Sequence, residues 1–391
     1  MRKVHFLSER RDKIGEYLLF PIRVNRKQLR ERGLDVRIFY DLSEACLSCD
    51  VLCLVSKPTM RLLGSREPSF SEDGPVLRFI ERARSRCQRI IWFDNSDSTT
   101  VTHFEILPYV DAYLKKQLFD DFELYRRPMY GGRIFTEFYH EHFGIEDDVP
   151  FTQFFPLDPE FEDKVDLSWH IGLADMAHAF GTIGALQARF PQWMPAKHSA
   201  WPQRRPIPKQ LDLFLRTTSD MGRPTVSFHR QEMIRGLQAA AEHNGWSANI
   251  NGPRLPRKDF EAAMASSRIM PSPFGWGEIG VRDFEAILYG AVLLKPQMSH
   301  MRTWPDVFVE GETYEAVSWD FTDLEAKIAG LLDDDRKQAE LVSNAQQAYA
   351  DSVSPQGMEA FCTRFAGLME DETRTLPESS AISAISTTRD R

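Results

Sequence analysis

The stretch Pro271-Ser272-Pro273-Phe274-Gly275-Trp276-Gly277-Glu278-Ile279-Gly280 stands between an apolar run and a segment of helical spacing that opens near Val281. A loop in that position offers unpaired backbone N–H groups and the positive end of a helix macrodipole, which together suit a pyrophosphate. Glycines at 275, 277 and 280 carry no Cβ, so the backbone can come close to phosphate oxygens, although such spacing also suits a plain turn. Arg282, in the first helical turn, adds a planar fork of donors that matches phosphate. Glu285 follows near the same edge of the helix. Its carboxylate is placed either to accept two hydrogen bonds from the vicinal hydroxyls of a ribose or to pair with Arg282 in solvent.

A second polar group closes an apolar run in the first half of the chain, Trp92-Phe93-Asp94-Asn95-Ser96-Asp97-Ser98-Thr99. The carboxyl end of a strand is where an α/β domain keeps its ligands, so Asp94 and Asp97 are candidate bases or hydrogen-bond partners for an acceptor hydroxyl. An Asx turn that caps the next segment is the other use of these residues. The spacing is wrong for a metal-binding D-x-D. His140 and His142 form an H-x-H without a third ligand at a telling distance. No metal site is expected.

These residues need elements to hold them, and the chain supplies an alternation of strand and helix. Val4 to Leu7, Asp35 to Tyr40, Asp50 to Val55 and Arg89 to Asp94 read as strands, the last a near-continuous apolar run of the kind a parallel sheet buries on both faces. Gly33 makes a C′ cap for the helix before it. Alternation resumes with strands at 211–215, 247–250 and 268–271 and helices at 231–244 and 259–266. After the glycine-rich loop come a strand at 291–294, a short one at 314–317, and helices at 323–332, 336–350 and 358–369. The pattern predicts an α/β protein of two Rossmann-like domains facing a cleft. Residues 1–165 form the first domain and 211–375 the second. Between them, 166–210 carries Trp169, Trp193, Trp201 and several prolines and reads as an irregular connector; 376–391 is expected to be a disordered tail.

A length of 391 residues suits two domains, and 42% apolar with 27% charged residues is a soluble composition. No run is long enough to span a bilayer, and charge interrupts the N-terminal apolar residues before a signal-peptide core can form, so a cytoplasmic location is expected. The net charge of −9 argues against nucleic acid as a partner, while local cations remain free to serve a small anion. Five cysteines, an odd number, suit reduced thiols, Cys46-x-x-Cys49 included. Ser8-Glu9-Arg10-Arg11-Asp12 follows the first strand where a dinucleotide-binding dehydrogenase would place G-x-G-x-x-G.

The run RDFEAILYGAVLLKP, followed by VFVEGETYEAV, DLEAKIAGLLDDD and a final helix, resembles the C-terminal domain of GT-B glycosyltransferases. The likeness is to the group 1 glycosyl transferases and the spore-maturation-protein-like branch, from Leu211 to Met369. The resemblance implies a nucleoside diphosphate sugar donor held by the second domain and a glycan or glycoconjugate acceptor held by the first. It implies transfer in the cleft without cofactor or obligatory metal, as in glycan assembly, with peripheral contact to a membrane open for a lipid-linked acceptor. Glu285 matches the family glutamate that binds the ribose, and the loop from Gly275 to Gly280, Trp276 and Gly277 within it, matches the segment around sugar and phosphates. Arg216, His229 and Arg230 take the place of the basic residues that neutralise the leaving diphosphate. The first glutamate of retaining members falls at Gly277 here, so the nearest acid, Glu278, is the candidate catalytic carboxylate, and the stereochemical outcome stays open. A non-catalytic nucleotide- or glycan-binding protein and a nucleotide-sugar epimerase on the same scaffold are the alternatives.

Overall fold

The computed structural model describes residues 1–10, 12–65, 70, 74–149, 154–176 and 208–370. The apolar runs of the first half become strands β1 (Arg2–Leu7), β2 (Leu34–Phe39), β3 (Val51–Val55), β4 (Arg89–Asp94) and β5 (Ala112–Lys115), followed by β6 (Gln117–Phe119) and β7 (Val165–Leu167). All but β6 join one parallel sheet in the order β2-β1-β3-β4-β5-β7. Every residue of β3 is buried, as an unbroken apolar strand covered on both faces must be. The helix Lys13–Val24 starts where Asp12 accepts a hydrogen bond from the Gly15 amide at 2.7 Å, a side-chain cap for an otherwise unpaired N–H.

The second half repeats the plan with β8 (Leu211–Leu215), β9 (Ala248–Ile250), β10 (Ser267–Pro271), β11 (Val292–Pro296), β12 (Met301–Thr303) and β13 (Glu315–Val317). Its parallel sheet runs β13-β11-β10-β8-β9. The helix Pro224–Asn244 begins seven residues before the expected 231, because Pro224 brings a helical φ and no unpaired N–H to the first turn. It ends at Gly245, left-handed at φ 69°. Two Rossmann-like domains, as the alternation requires, make up the described chain.

Two connections hold the domains together that the pattern did not reveal. β6 of the first domain pairs antiparallel with β12 of the second, Gln117 opposite Thr303 and Phe119 opposite Met301. The last helix, Pro355–Met369, sends Phe361, Cys362, Phe365 and Leu368 into one core with Val4, Phe6, Phe93 and Trp169 of the first domain. The last helix to follow the second sheet in the chain thus covers the first sheet. β7 carries the first sheet to Leu167, and Trp169 donates its indole N–H to the Leu18 carbonyl at 2.8 Å. Residues 177–207 of the expected connector and the expected tail lie outside the described residues.

No helix among the described residues is long and apolar enough to cross a membrane. All five cysteines are buried and free. Among the described residues, no three or more His, Cys, Asp or Glu side chains are grouped to hold a metal ion.

Candidate functional site

Loops at the carboxyl ends of both sheets enclose a cavity of about 840 Å³. The second domain lines it with Arg216 to Thr218 after β8, Asn251 to Leu255 after β9, and Ser272 with Pro273 and Gly275 to Gly280 after β10. Val281 and Arg282 open the helix Val281–Tyr289 at its wall. The first domain adds Ile14, Asp97, Lys116 and Ile171. Five arginines, at 216, 230, 254, 257 and 282, face two acids, Asp97 and Glu278. In a chain of net charge −9 this is a concentrated cationic field, and the first-turn amides of the helix add to it.

Arg230 is fixed on three sides. It donates from Nε to the Phe274 carbonyl at 2.8 Å, and from one terminal nitrogen to Thr217 Oγ1 at 2.9 Å and the Thr218 carbonyl at 2.8 Å. A Cβ at Gly275 would fall 2.7 Å from the other terminal nitrogen, so glycine at 275 makes room for Arg230. Burial, and secondarily Arg282, pulls the Arg230 guanidinium down to about 10, still a cation at neutral pH. Arg216 donates to the Pro253 carbonyl at 3.2 Å and to Asn249 Oδ1. Arg282 makes no hydrogen bond or ion pair to another described residue. Burial lowers its pKa against the pull of Glu285 and Asp283.

The loop is anchored at its ends by a residue that the sequence reading passed over. Asp283 accepts the Gly280 amide at 2.8 Å, Ser272 Oγ at 2.5 Å and Lys295 Nζ at 3.0 Å. An acid three residues after a helix-capping glycine is the capping-box signal that would have found it. Glu285 lies one turn on, outside the cavity lining. Its pKa is raised by burial and drawn back by Arg282 and Arg257, both of which line the cavity. Burial, and secondarily the same carboxylate, raises the pKa of Tyr17 in the first domain. Glu285 accepts no hydrogen bond from another described residue.

The other residues singled out from the sequence divide. Asp97 lines the cavity with Lys57 Nζ at 3.3 Å and Lys116 Nζ at 3.6 Å, and these cations hold its carboxyl low against burial. Trp276 is 40% exposed at the wall, with the guanidinium groups of Arg133 and Arg223 at 5.1 and 5.9 Å from the indole. Glycine at 277 answers a protein neighbour, since a Cβ there would fall 1.8 Å from the Asp97 carbonyl oxygen. Gly280 has open space around it. Glu278 is 0% exposed and accepts three hydrogen bonds from the first domain.

Asp94 does not reach the cavity. It is buried against Lys115 Nζ at 2.9 Å and accepts the Tyr113 hydroxyl at 2.6 Å and the Ser96 amide at 2.8 Å, a structural network at the end of β4. His229 is likewise spent on structure. Its Nε2 accepts the Phe274 amide at 2.9 Å, so Nδ1 carries the proton and donates to the Tyr139 hydroxyl, which donates to the Trp319 carbonyl at 2.6 Å. Burial drives the His229 pKa down, and a neutral ring with both nitrogens engaged has nothing left for a diphosphate.

No family model matches the chain, and no curated protein matches it. Solved structures do. Anabaena HepE in complex with UDP is 10% identical, with a TM-score of 0.43 over 94% of this chain and 99% of that one. T4 phage BGT in complex with its UDP-glucose substrate is 11% identical, with a TM-score of 0.45 over 95% and 100%. The Staphylococcus aureus MnaA–UDP structure is 10% identical, with a TM-score of 0.41 over 94% and 98%. Two parallel Rossmann-like sheets, joined by a strand pair and by a C-terminal helix that returns to the first sheet, are the fold of this chain.

Proposed function

We propose that this protein transfers a sugar from a nucleoside diphosphate sugar to a hydroxyl acceptor, a glycan or glycoconjugate. The observation that carries the proposal is Arg282. It is a guanidinium at the first turn of a helix, on the wall of a cavity that four more arginines line, without a hydrogen bond or ion pair to another described residue. Such a cation is suited to bind an anion, and the diphosphate has the charge and the reach to engage Arg282, Arg230 and the helix amides together. Arg230 and Arg216, already held by carbonyls and side chains, are preorganised for the charge that grows on a departing nucleoside diphosphate.

Glu285, outside the cavity lining but within the pull of Arg282 and Arg257 at the wall, takes the ribose hydroxyls in this proposal. Asp97 reaches the cavity from the first domain and is kept ionised by Lys57 and Lys116, so it is the carboxylate that meets an acceptor hydroxyl. The test is incubation with a panel of nucleotide sugars and carbohydrate acceptors, with products read by mass spectrometry. Transfer to an acceptor supports the proposal. A donor altered without acceptor points to epimerisation, and nucleotide binding with no turnover on any acceptor points to a binding protein.

A further inference from the structure

Three successive residues of the cavity loop are gripped by the opposite domain. Arg133 Nε donates to the Trp276 carbonyl at 2.9 Å, and the Gly277 backbone lies flat against Asp97. Glu278 accepts Ser98 Oγ at 3.1 Å on one oxygen, and the Thr99 amide at 3.0 Å with Gln117 Nε2 at 2.7 Å on the other. All three donors precede it by more than 150 residues and belong to the first domain. Gln117 is itself held in register by the pairing of β6 with β12. The ends of the loop are fixed differently, by Arg230 at Phe274 and by Asp283 at Gly280, both within the second domain. Apart from the Gly275 amide bonded to the Gly277 carbonyl at 3.0 Å, the partners that hold the middle of the loop come from the first domain.

We infer that Glu278 is a positioning residue: by seating its carboxylate on the first domain's Ser98, Thr99 and Gln117, it sets the loop that holds the diphosphate. The inference rests on the diphosphate reading of the cavity. Both oxygens are occupied and the side chain is closed to solvent, so a proton-transfer role would first require breaking these bonds. His300 Nε2, at 3.9 Å, is beyond hydrogen-bond distance.

The chemistry of the donors separates positioning from a charged role. In Glu278→Gln the amide oxygen still accepts from Thr99 and Gln117, while the new NH₂ donates to Ser98 Oγ, whose hydroxyl can turn. Glu278→Ala removes every bond. Gly277→Ala is a wedge that removes no buried partner: Gly277 is not at positive φ, and the nearest atoms that oppose a Cβ there, from the backbone of Asp97 and Ser98, belong to the first domain.

The experiment places spin labels at Lys27→Cys and Arg336→Cys, both exposed, and measures the distance between domains by pulsed electron resonance. The same variants are titrated calorimetrically with UDP, GDP, CDP, dTDP and ADP. Glu278→Ala and Gly277→Ala are expected to lengthen or broaden the distance and to weaken diphosphate binding about tenfold or more, the loss of one good charged hydrogen bond. Glu278→Gln is expected to match the wild type in both. An unchanged distance in the alanine variants overturns the inference, as does Glu278→Gln losing affinity with the domains still in place. If the wild type binds no diphosphate, the reading of the cavity fails, and the distances still decide whether Glu278 seats the domains.

Discussion

Lys295 Nζ stands 3.0 Å from Asp283 Oδ2, with both side chains shut off from solvent, so one buried ion pair ties the first turn of the Val281–Tyr289 helix to β11. Asp283 also holds Gly280 and Ser272, the two ends of the cavity loop. Removing one partner of such a pair strands a buried charge. Asp283→Ala is expected to cost about 3–5 kcal/mol in urea unfolding, and the double variant Asp283→Ala with Lys295→Met less than that single change. A loss in the double variant equal to the sum of the losses in Asp283→Ala and in Lys295→Met alone would show that the pair is not coupled.

Glu285 is assigned to the ribose, and that assignment has its own signature. Glu285→Ala should weaken binding of a ribonucleoside diphosphate by about 1.5–3 kcal/mol, the range for hydrogen bonds to a charged group. The 2′,3′-dideoxy form, which lacks the hydroxyls, should bind the variant and the wild type alike. Equal affinity of both proteins for the ribonucleotide, read by calorimetry, removes Glu285 from the site.

His103 supplies a pH test. Burial, opposed by Asp94, brings its pKa to about 4, with Nδ1 buried and without a hydrogen bond to another described residue. The unfolded chain takes up a proton near the usual histidine value of about 6.5, so on acidification it binds that proton before the folded form does. The contribution to stability is complete above about 6.5 and falls by about 1.4 kcal/mol per unit as the pH drops toward 4. His103→Phe, which cannot titrate, should flatten the slope of unfolding free energy between pH 6.5 and 4.5 by that amount. An unchanged slope would mean that the ring is protonated in the folded state as it is in the unfolded one.

Much of the scaffold was legible because its signals are local. The apolar runs at 51–55 and 89–94 are the strands β3 and β4, and the glycine-rich loop leads into a helix that starts at Val281 as its spacing indicates. Arg216, Arg230, Arg282 and Asp97 reach one cavity because they follow the carboxyl ends of strands, which topology fixes. What could not be read depends on partners far away in sequence. Glu278 meets Ser98 across 180 residues and His229 meets Tyr139 across 90, and no window of sequence shows either. The same holds for the last helix: its amphipathic spacing announces a buried face without saying which sheet it covers, and Phe361 and Phe365 turn out to face β1 and β4. Asp94, the last residue of β4, is held by Lys115 and Tyr113 of the neighbouring strand, whereas Asp97, three residues on, lies beyond the strand and reaches the cavity.

Trp276 offers an optical readout of the cavity. It is the one of eight tryptophans in the chain that lines the cavity wall among the described residues. A diphosphate sugar bound beside it should change the intrinsic fluorescence, and Trp276→Phe should abolish most of that change while leaving affinity within about threefold, under 1 kcal/mol. A full signal in Trp276→Phe would place the ligand elsewhere.

The central claim is that Arg282 and the helix amides grip a pyrophosphate. Its most direct test is calorimetric titration of the wild type and Arg282→Ala with each nucleoside diphosphate and with the matching nucleoside. At least one diphosphate should bind the wild type about tenfold or more tighter than its nucleoside, and Arg282→Ala should remove most of that difference. Diphosphate and nucleoside binding equally, or Arg282→Ala retaining the wild-type preference, would contradict the account.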